Sequence, residues 1–288
     1  MLLLGINNLL LVINLVLILI EPSFTTNYCS KELCKGKRHC RCGKDGSFGP
    51  DCPKNAEEVR MTEELKRLIV DIHNEVRESI SEGNYKGLKP ANRMIKMEWE
   101  SELAENALYT AKTCRYVHDE CRNTPKYGDV GQNIALFSIK STKKMDINKT
   151  VKKIIDSWLS QADNVANEIQ RYGSFSGDDS DYFAQMIRAS CGHIGCALVY
   201  YVTDNDARQN LFFVCNYSSA NVPNEPIYDV GPACSACVTG CSKTSPGLCN
   251  TEEENYLIKL KLLNITQLKV EDPLKLGHLL NIDLLNRH

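Results

Sequence analysis

CRYVHDECRNTPKYGDVGQNIA, Cys114 to Ala135, sets His118 between two cysteines seven residues apart and follows it with a glycine-flanked segment, Gly128 to Gln132. Glycines let the backbone turn sharply, so the segment can carry polar side chains up to the imidazole, and the stretch predicts a pocket rim. Its cysteines are two of fourteen, an even number in a chain that opens on an apolar run. That combination points to an oxidising compartment and up to seven disulfides rather than to a cytosolic metal or redox protein.

Working outward, 288 residues suffice to bury a substantial core, so core size is not the problem the cysteines solve. The formal charge of -2 and pI near 6.3 give no net basic field toward nucleic acid or anionic lipid. KGKRHCRCGK, Lys35 to Lys44, is a local basic run that reads as a solvated loop. Residues Met1 to Ile20 are dominated by Leu, Ile and Val, with LLLVINLVLILI from Leu9 as the core. Twelve residues suit the apolar stretch of a signal peptide, whereas a spanning helix takes about 20. The expectation is a signal over residues 1–22, cleaved between Glu21 and Thr26, and a secreted monomer with no stable membrane insertion.

Tyr28 to Cys52 holds five cysteines, four glycines and almost no aliphatic residues, so this arm cannot hold itself together and must be stapled to a body. Leu65, Leu68, Ile69, Ile72, Val76 and Ile80 recur at three- and four-residue steps and predict a helix from Thr62 to Gly83, with Thr62 as N-cap. Trp99, Leu103, Ala104, Ala107 and Ala111 mark a second helix. Ile147, Val151, Ile154, Ile155, Trp158 and Leu159 mark a third. Two runs rich in β-branched and aromatic residues flank an acidic turn, Asp204 to Asp206, as a hairpin requires. Cys196 and Cys215 stand equally far from the turn and would face each other across it. The four cysteines from Cys234 to Cys249 admit zinc binding, but in a secreted chain they read as disulfides. The Leu-rich tail, 251–288, reads as a weakly ordered extension. Asn148, Asn216 and Asn264 stand in glycosylation sequons, and Asn216, beside a strand cysteine, is the least accessible of the three.

The Cys-His-Cys stretch with GQN, the WESELAENA string, VCNY (Val214 to Tyr217), PIYDVGPACSAC from Pro226, and the arm's NYC with His39 and Cys42 together resemble the cysteine-rich secretory, antigen 5 and pathogenesis-related-1 (CAP) superfamily, in its insect antigen 5 form. The resemblance implies a three-layer α/β/α sandwich with disulfide-rich extensions at both ends: an arm over 27–60, the CAP domain over 61–225 and a cysteine-rich loop over 226–250. It also implies bridges Cys29–Cys42, Cys34–Cys121, Cys52–Cys114 and Cys237–Cys249. Cys40, Cys191, Cys234 and Cys241 have no partner in that pattern, and Cys234–Cys241 and Cys40–Cys191 are the expected additional pairs.

The superfamily pattern also gathers two histidines and two acids in a cleft, which suits a divalent metal and acid–base chemistry. Residue by residue those positions fall here on His118, Gln132, Gln161 and Tyr182, and only the first keeps its ligand type. A glutamine exchanges no proton near neutral pH and a tyrosine with pKa near 10 is a poor zinc ligand, so neither a metal cofactor nor an enzyme is expected. No G-x-S-x-G elbow occurs. His193 in CGHIGC reads as a packed strand-end histidine. The sequence thus predicts a secreted binding protein of the venom, salivary or haemolymph allergen type that takes a host protein or a small lipid or amine. A channel-blocking toxin acting through the C-terminal cysteine loop and a metal-assisted hydrolase are the alternatives.

Overall fold

The computed structural model describes residues 26–166, 169–173, 181–203 and 205–262. The segment read as a signal peptide, the loop at 174–180, most of the tail and Asn264 lie outside the described residues. In chain order the elements are β1 (Glu57–Glu58), α1 (Glu63–Ser81), β2 (Glu98–Trp99), α2 (Ser101–Ala111), β3 (Gly131–Lys140), α3 (Ile147–Leu159), α4 (Ala162–Val165), α5 (Asp181–Met186), β4 (His193–Val202), β5 (Arg208–Tyr217) and α6 (Glu252–Leu262).

Burial of both faces explains why β5 reads as a nearly continuous apolar run. Leu211, Phe213, Cys215 and Tyr217 pack on one side of the sheet, and Phe212 and Val214 on the other. β4 alternates in the same way, with Ile194, Cys196 and Leu198 opposed to Ala197, Val199 and Tyr201. The sheet runs β1-β4-β5-β3, antiparallel throughout, and β2 adds a short parallel pairing to β4. One layer above it is α2, whose Ala107 and Ala111 lie on the β4–β5 surface. Gly195 makes this approach possible, because a Cβ there would collide with the backbone of Glu100 and Ala104. The other layer is α1, α3, α4 and α5, with Trp158 stacked on Phe213 at 5.4 Å. The architecture is the three-layer sandwich the sequence predicts. Among the described residues no helix is long and apolar enough to cross a membrane.

Thr62 caps α1 through its hydroxyl, which accepts from Leu65 N at 3.2 Å. At the centre of α1 stands Arg77, fully buried. Its guanidinium donates to the carbonyl oxygens of Ile95, Met186, Arg188, Ala189 and Cys191, gathering the lead-in to β2 and the whole connection from α5 to β4 around one cation. Burial pulls its pKa down to about 10, which leaves it protonated at neutral pH.

Bridges join Cys29 to Cys42, Cys34 to Cys121, Cys52 to Cys114, Cys196 to Cys215, Cys234 to Cys241 and Cys237 to Cys249. The expected Cys40–Cys191 pair is corrected: both are buried free thiols. Cys40 lies on the arm against the Asn106 carbonyl of α2, whereas Cys191 lies at the start of β4 against Ser218. The tail reading is corrected in part as well. Glu252–Leu262 form α6, docked through Glu253 and Glu254, both buried. Glu253 accepts from Val238 N, Thr239 N and the Thr239 hydroxyl and pairs with Arg93 at 3.3 Å.

Arg77→Met takes the guanidinium away from five core carbonyls, of which Ala189 and Arg188 keep a backbone donor and Ile95, Met186 and Cys191 are left with none among the described residues, and it should lower the urea-derived unfolding free energy by at least about 3 kcal/mol. Arg77→Lys should restore less than half, because an ammonium has three donors and no planar fork. A Met variant within about 1 kcal/mol of the parent would remove Arg77 from its organising role.

Candidate functional site

His118 sits in the loop between α2 and β3, and both cysteines flanking it are bridged to the N-terminal arm, through Cys52–Cys114 and Cys34–Cys121. The loop is therefore fastened at two points on either side of the imidazole. β3 opens at Gly131 and places Gln132 beside it. A side chain at Gly131 would collide with Gln185 of α5, so the glycine lets α5 close against the strand.

His118 Nδ1 lies 2.7 Å from Gln132 Oε1. An amide oxygen only accepts, so Nδ1 carries the proton in this contact. The amide nitrogen of Gln132 is also engaged, donating to Asp119 Oδ2 at 2.9 Å and Asn216 Oδ1 at 3.0 Å. Asp119 further accepts from the Thr110 hydroxyl at 2.5 Å and from Arg122 Nε at 2.6 Å. Burial works against its ionisation, but the Arg122 charge and these hydrogen bonds outweigh it and hold the carboxyl below its ordinary range. The acid is a structural anchor, already committed to a cation.

Tyr182, on α5, reaches the Tyr116 hydroxyl at 3.0 Å and stacks on Trp158 at 5.9 Å. Gln161 does not join the cleft. Its side-chain oxygen accepts from Phe183 N at 3.3 Å, in the first turn of α5, and so helps to hold the helix that carries Tyr182. The structure therefore brings His118, Gln132 and Tyr182 to one cleft of about 200 Å³, with Asn133, Gln185 and Asn221 among its walls. Asn221 Oδ1 is buried there without a hydrogen-bond partner among the described residues.

Behind the cleft runs a polar chain into the core. Asn133 Nδ2 donates to the Tyr182 carbonyl at 3.0 Å and to the Tyr217 hydroxyl at 3.2 Å, and that hydroxyl reaches His73 Nε2 at 3.0 Å. His73 Nδ1 donates to the Ile69 carbonyl at 2.7 Å. Full burial pushes the His73 pKa down to about 4, so the ring is neutral in the fold.

His193 pairs with Glu254 of α6, which also accepts from Gly192 N at 2.7 Å and from the Ser218 hydroxyl. Burial opposes ionisation of Glu254, yet His193 and these donors hold its carboxyl below the ordinary range. This histidine latches α6 and lies away from the cleft. Of the sequons, Asn216 is fully buried, with Nδ2 donating to the Leu103 carbonyl at 3.1 Å, while Asn148 is half-buried and donates to Glu64 at 3.1 Å.

The donor set does not fit a divalent metal. One imidazole is tied to an amide, both ends of that amide are used, and the nearby carboxylate is paired with arginine. Among the described residues no group of three or more His, Cys, Asp or Glu is arranged to hold one. Sequence reasoning missed Asp119, Asn216 and Asn221. Only the position of Asn216 was within reach of a pattern, since it stands opposite Gln132 in the β3–β5 register.

A family profile described as "CAP: Cysteine-rich secretory protein family" matches residues 70–217. Among curated proteins the chain is 32% identical to Venom allergen-1 of Aedes albopictus, over 79% of this chain and 88% of that protein. It is 35% identical to Venom allergen 5 of Vespa magnifica, over 75% and 95%. Among solved structures it resembles Na-ASP-1, with a TM-score of 0.54 and 26% identity over 70% of this chain and 50% of that one. The crystal structure of NaASP2 with Zn2+ shares the fold at a TM-score of 0.51 and 24% identity, over 69% and 99%.

Two measurements follow from this geometry. Zinc titrated calorimetrically into the purified protein should show no binding tighter than about millimolar, and tight binding abolished by His118→Ala would overturn the reading of the donor set. Because His73 is neutral in the fold and protonates on unfolding near its ordinary value of 6.5, the unfolded chain binds more protons between about pH 6.5 and 4. Stability should fall across that window on acidification, by about 3 kcal/mol in all. Denaturation curves of His73→Gln should lose that part of the pH dependence.

Proposed function

The chain belongs to the CAP, or cysteine-rich secretory protein, family, and from that premise we propose that it is a secreted binding protein of the antigen 5 kind, without catalytic activity, whose cleft takes a small hydrogen-bond-donating ligand such as an amine. The observation that carries this reading is the pairing around His118. Every group that an acid–base or metal mechanism would need is replaced by an amide or engaged by a partner, while one acceptor, Asn221 Oδ1, is left buried and, among the described residues, unpaired at the same cleft. A buried acceptor without a donor costs about 1–3 kcal/mol, which a ligand N–H returns on binding.

Size separates the ligand classes. Pockets for drug-sized molecules run from about 300 to 1,000 Å³, and this cleft, near 200 Å³, suits a small compact ligand better than an acyl chain or a sterol. The aromatic faces of Tyr172 and Tyr182 at its wall favour a cation, in keeping with an ammonium group. Fourteen cysteines, twelve of them bridged, support an extracellular placement.

The channel-toxin alternative needs a C-terminal module that stands apart from the body. Here Leu248 and Cys249 are fully buried, Cys249 N donates to the Met94 carbonyl at 2.8 Å, and the Ser81 hydroxyl of α1 holds the Gly247 carbonyl. The loop is part of the body, which favours the cleft.

Titration calorimetry with tryptamine and histamine, against palmitate and cholesterol as comparators, tests the proposal. At least one amine should bind in the micromolar range, and Asn221→Leu should weaken it at least about tenfold, the loss expected when a buried hydrogen bond to a charged group goes. Uptake of palmitate or cholesterol with no amine binding would sink it.

A further inference from the structure

From Lys140 to Lys153 the sequence reads KSTKKMDINKTVKK, six lysines and a single acid in fourteen residues, within a chain whose formal net charge is -2. We propose that this stretch is a docking surface for a linear sulfated polysaccharide of the glycosaminoglycan class.

All six lysines are exposed. Among the described residues only Lys152 has an ion pair, with Asp156 at 3.1 Å, and Lys140, Lys143, Lys144, Lys149 and Lys153 have none. The one acid inside the stretch, Asp146, is spent as the N-cap of α3, accepting from Lys149 N at 3.0 Å. Elsewhere on the surface some cations are held by acids, as in Lys35–Asp129, Arg41–Glu105 and Lys112–Glu58.

The loop that presents the charges is fixed. Gln209, buried on β5, donates through Nε2 to the Ser141 and Lys143 carbonyls, both at 2.8 Å, and accepts from Met145 N at 2.8 Å. Met145 is itself tucked into the core. The lysines on α3 follow helical spacing, with Lys149 sharing a face with Lys152 and Lys153. Lys140, Lys143 and Lys144 therefore continue into a helical row on a pre-formed track, and little ordering entropy opposes binding.

The chemistry favours a polysaccharide over a lipid surface. Lys140 to Lys153 carries no exposed aromatic side chain, and the two exposed apolar residues just before it, Leu136 and Ile139, point to opposite faces of β3 and give no common footing in a bilayer. Lysines act as point charges, which suit a flexible polyanion whose sulfates need no planar, bidentate recognition. The proposal presumes the extracellular placement argued above, but binding by purified protein is read independently of where a cell sends it, so each can fail alone.

The test uses the full secreted protein carrying Asn148→Gln, so that no glycan at that sequon covers the patch, over immobilised heparin. Binding should fall at least tenfold between about 50 and about 300 mM salt, and desulfated heparin should not bind. Lys143→Glu/Lys144→Glu/Lys149→Glu should weaken it at least tenfold, and the milder Lys143→Gln/Lys144→Gln at least threefold should the triple variant not fold. Lys37→Glu/Lys44→Glu, on the other basic run, should stay within twofold. Unchanged binding in natively folded patch variants, an equal loss in the arm variant, or tighter binding to phosphatidylserine vesicles or duplex DNA would each overturn the proposal.

Discussion

The fold depends on one buried cation. Among the described residues no carboxylate stands against the Arg77 guanidinium, and its charge is solvated by five backbone carbonyls drawn from segments that are remote in sequence. An arginine can do this because its donors lie in a rigid plane and radiate outward, so strands of irregular backbone can be collected around it without further secondary structure. The segment from Met186 to Cys191 is such a backbone. It closes α5 and opens β4, so the position of Tyr182 and Gln185 relative to the sheet is set by the same cation that orders the centre of α1.

A second constraint acts from outside. The arm has little to bury, and it is held to the body by bridges that reach the two cysteines beside His118. It also supplies β1, which pairs with β4 at the sheet edge, and Tyr28, whose hydroxyl donates to Glu102 at 2.6 Å. The arm therefore fixes the rim of the cleft as well as covering it. With the rim fastened and the back wall joined to the core through Asn133, Tyr217 and His73, the cleft is rigid and polar. A ligand entering such a site would cost little conformational freedom, which supports the proposed binding role.

Some of this was legible along the chain. The helix of α1 announced itself because its apolar residues repeat with the helical period and Thr62 precedes them. β4 and β5 announced themselves through β-branched and aromatic content, and the facing of Cys196 and Cys215 followed from their equal distance to the turn. The residue types at His118, Gln132, Gln161 and Tyr182 could be read directly, and a glutamine cannot act as an acid whatever surrounds it. Other features left no signature. Glu253 and Glu254 read as ordinary solvated acids of a helix start, and only the folded chain shows them buried against Thr239 and His193. Cys40 and Cys191 were matched because they were left over, and their separation in space is a tertiary fact.

By itself the sequence determined the periodicity of the elements, the stapled character of the arm and the amide that stands at Gln132, because each of these is carried by residue type and local spacing. Tertiary structure alone decided what Arg77 binds, which acceptor in the cleft has no partner among the described residues, and that the loop between Lys140 at the end of β3 and the lysines of α3 is pinned by Gln209. The reason is that these depend on backbone carbonyls, which every residue carries alike, and on partners such as Gln132 and Asn216, which stand 84 residues apart and meet only when β3 and β5 pair.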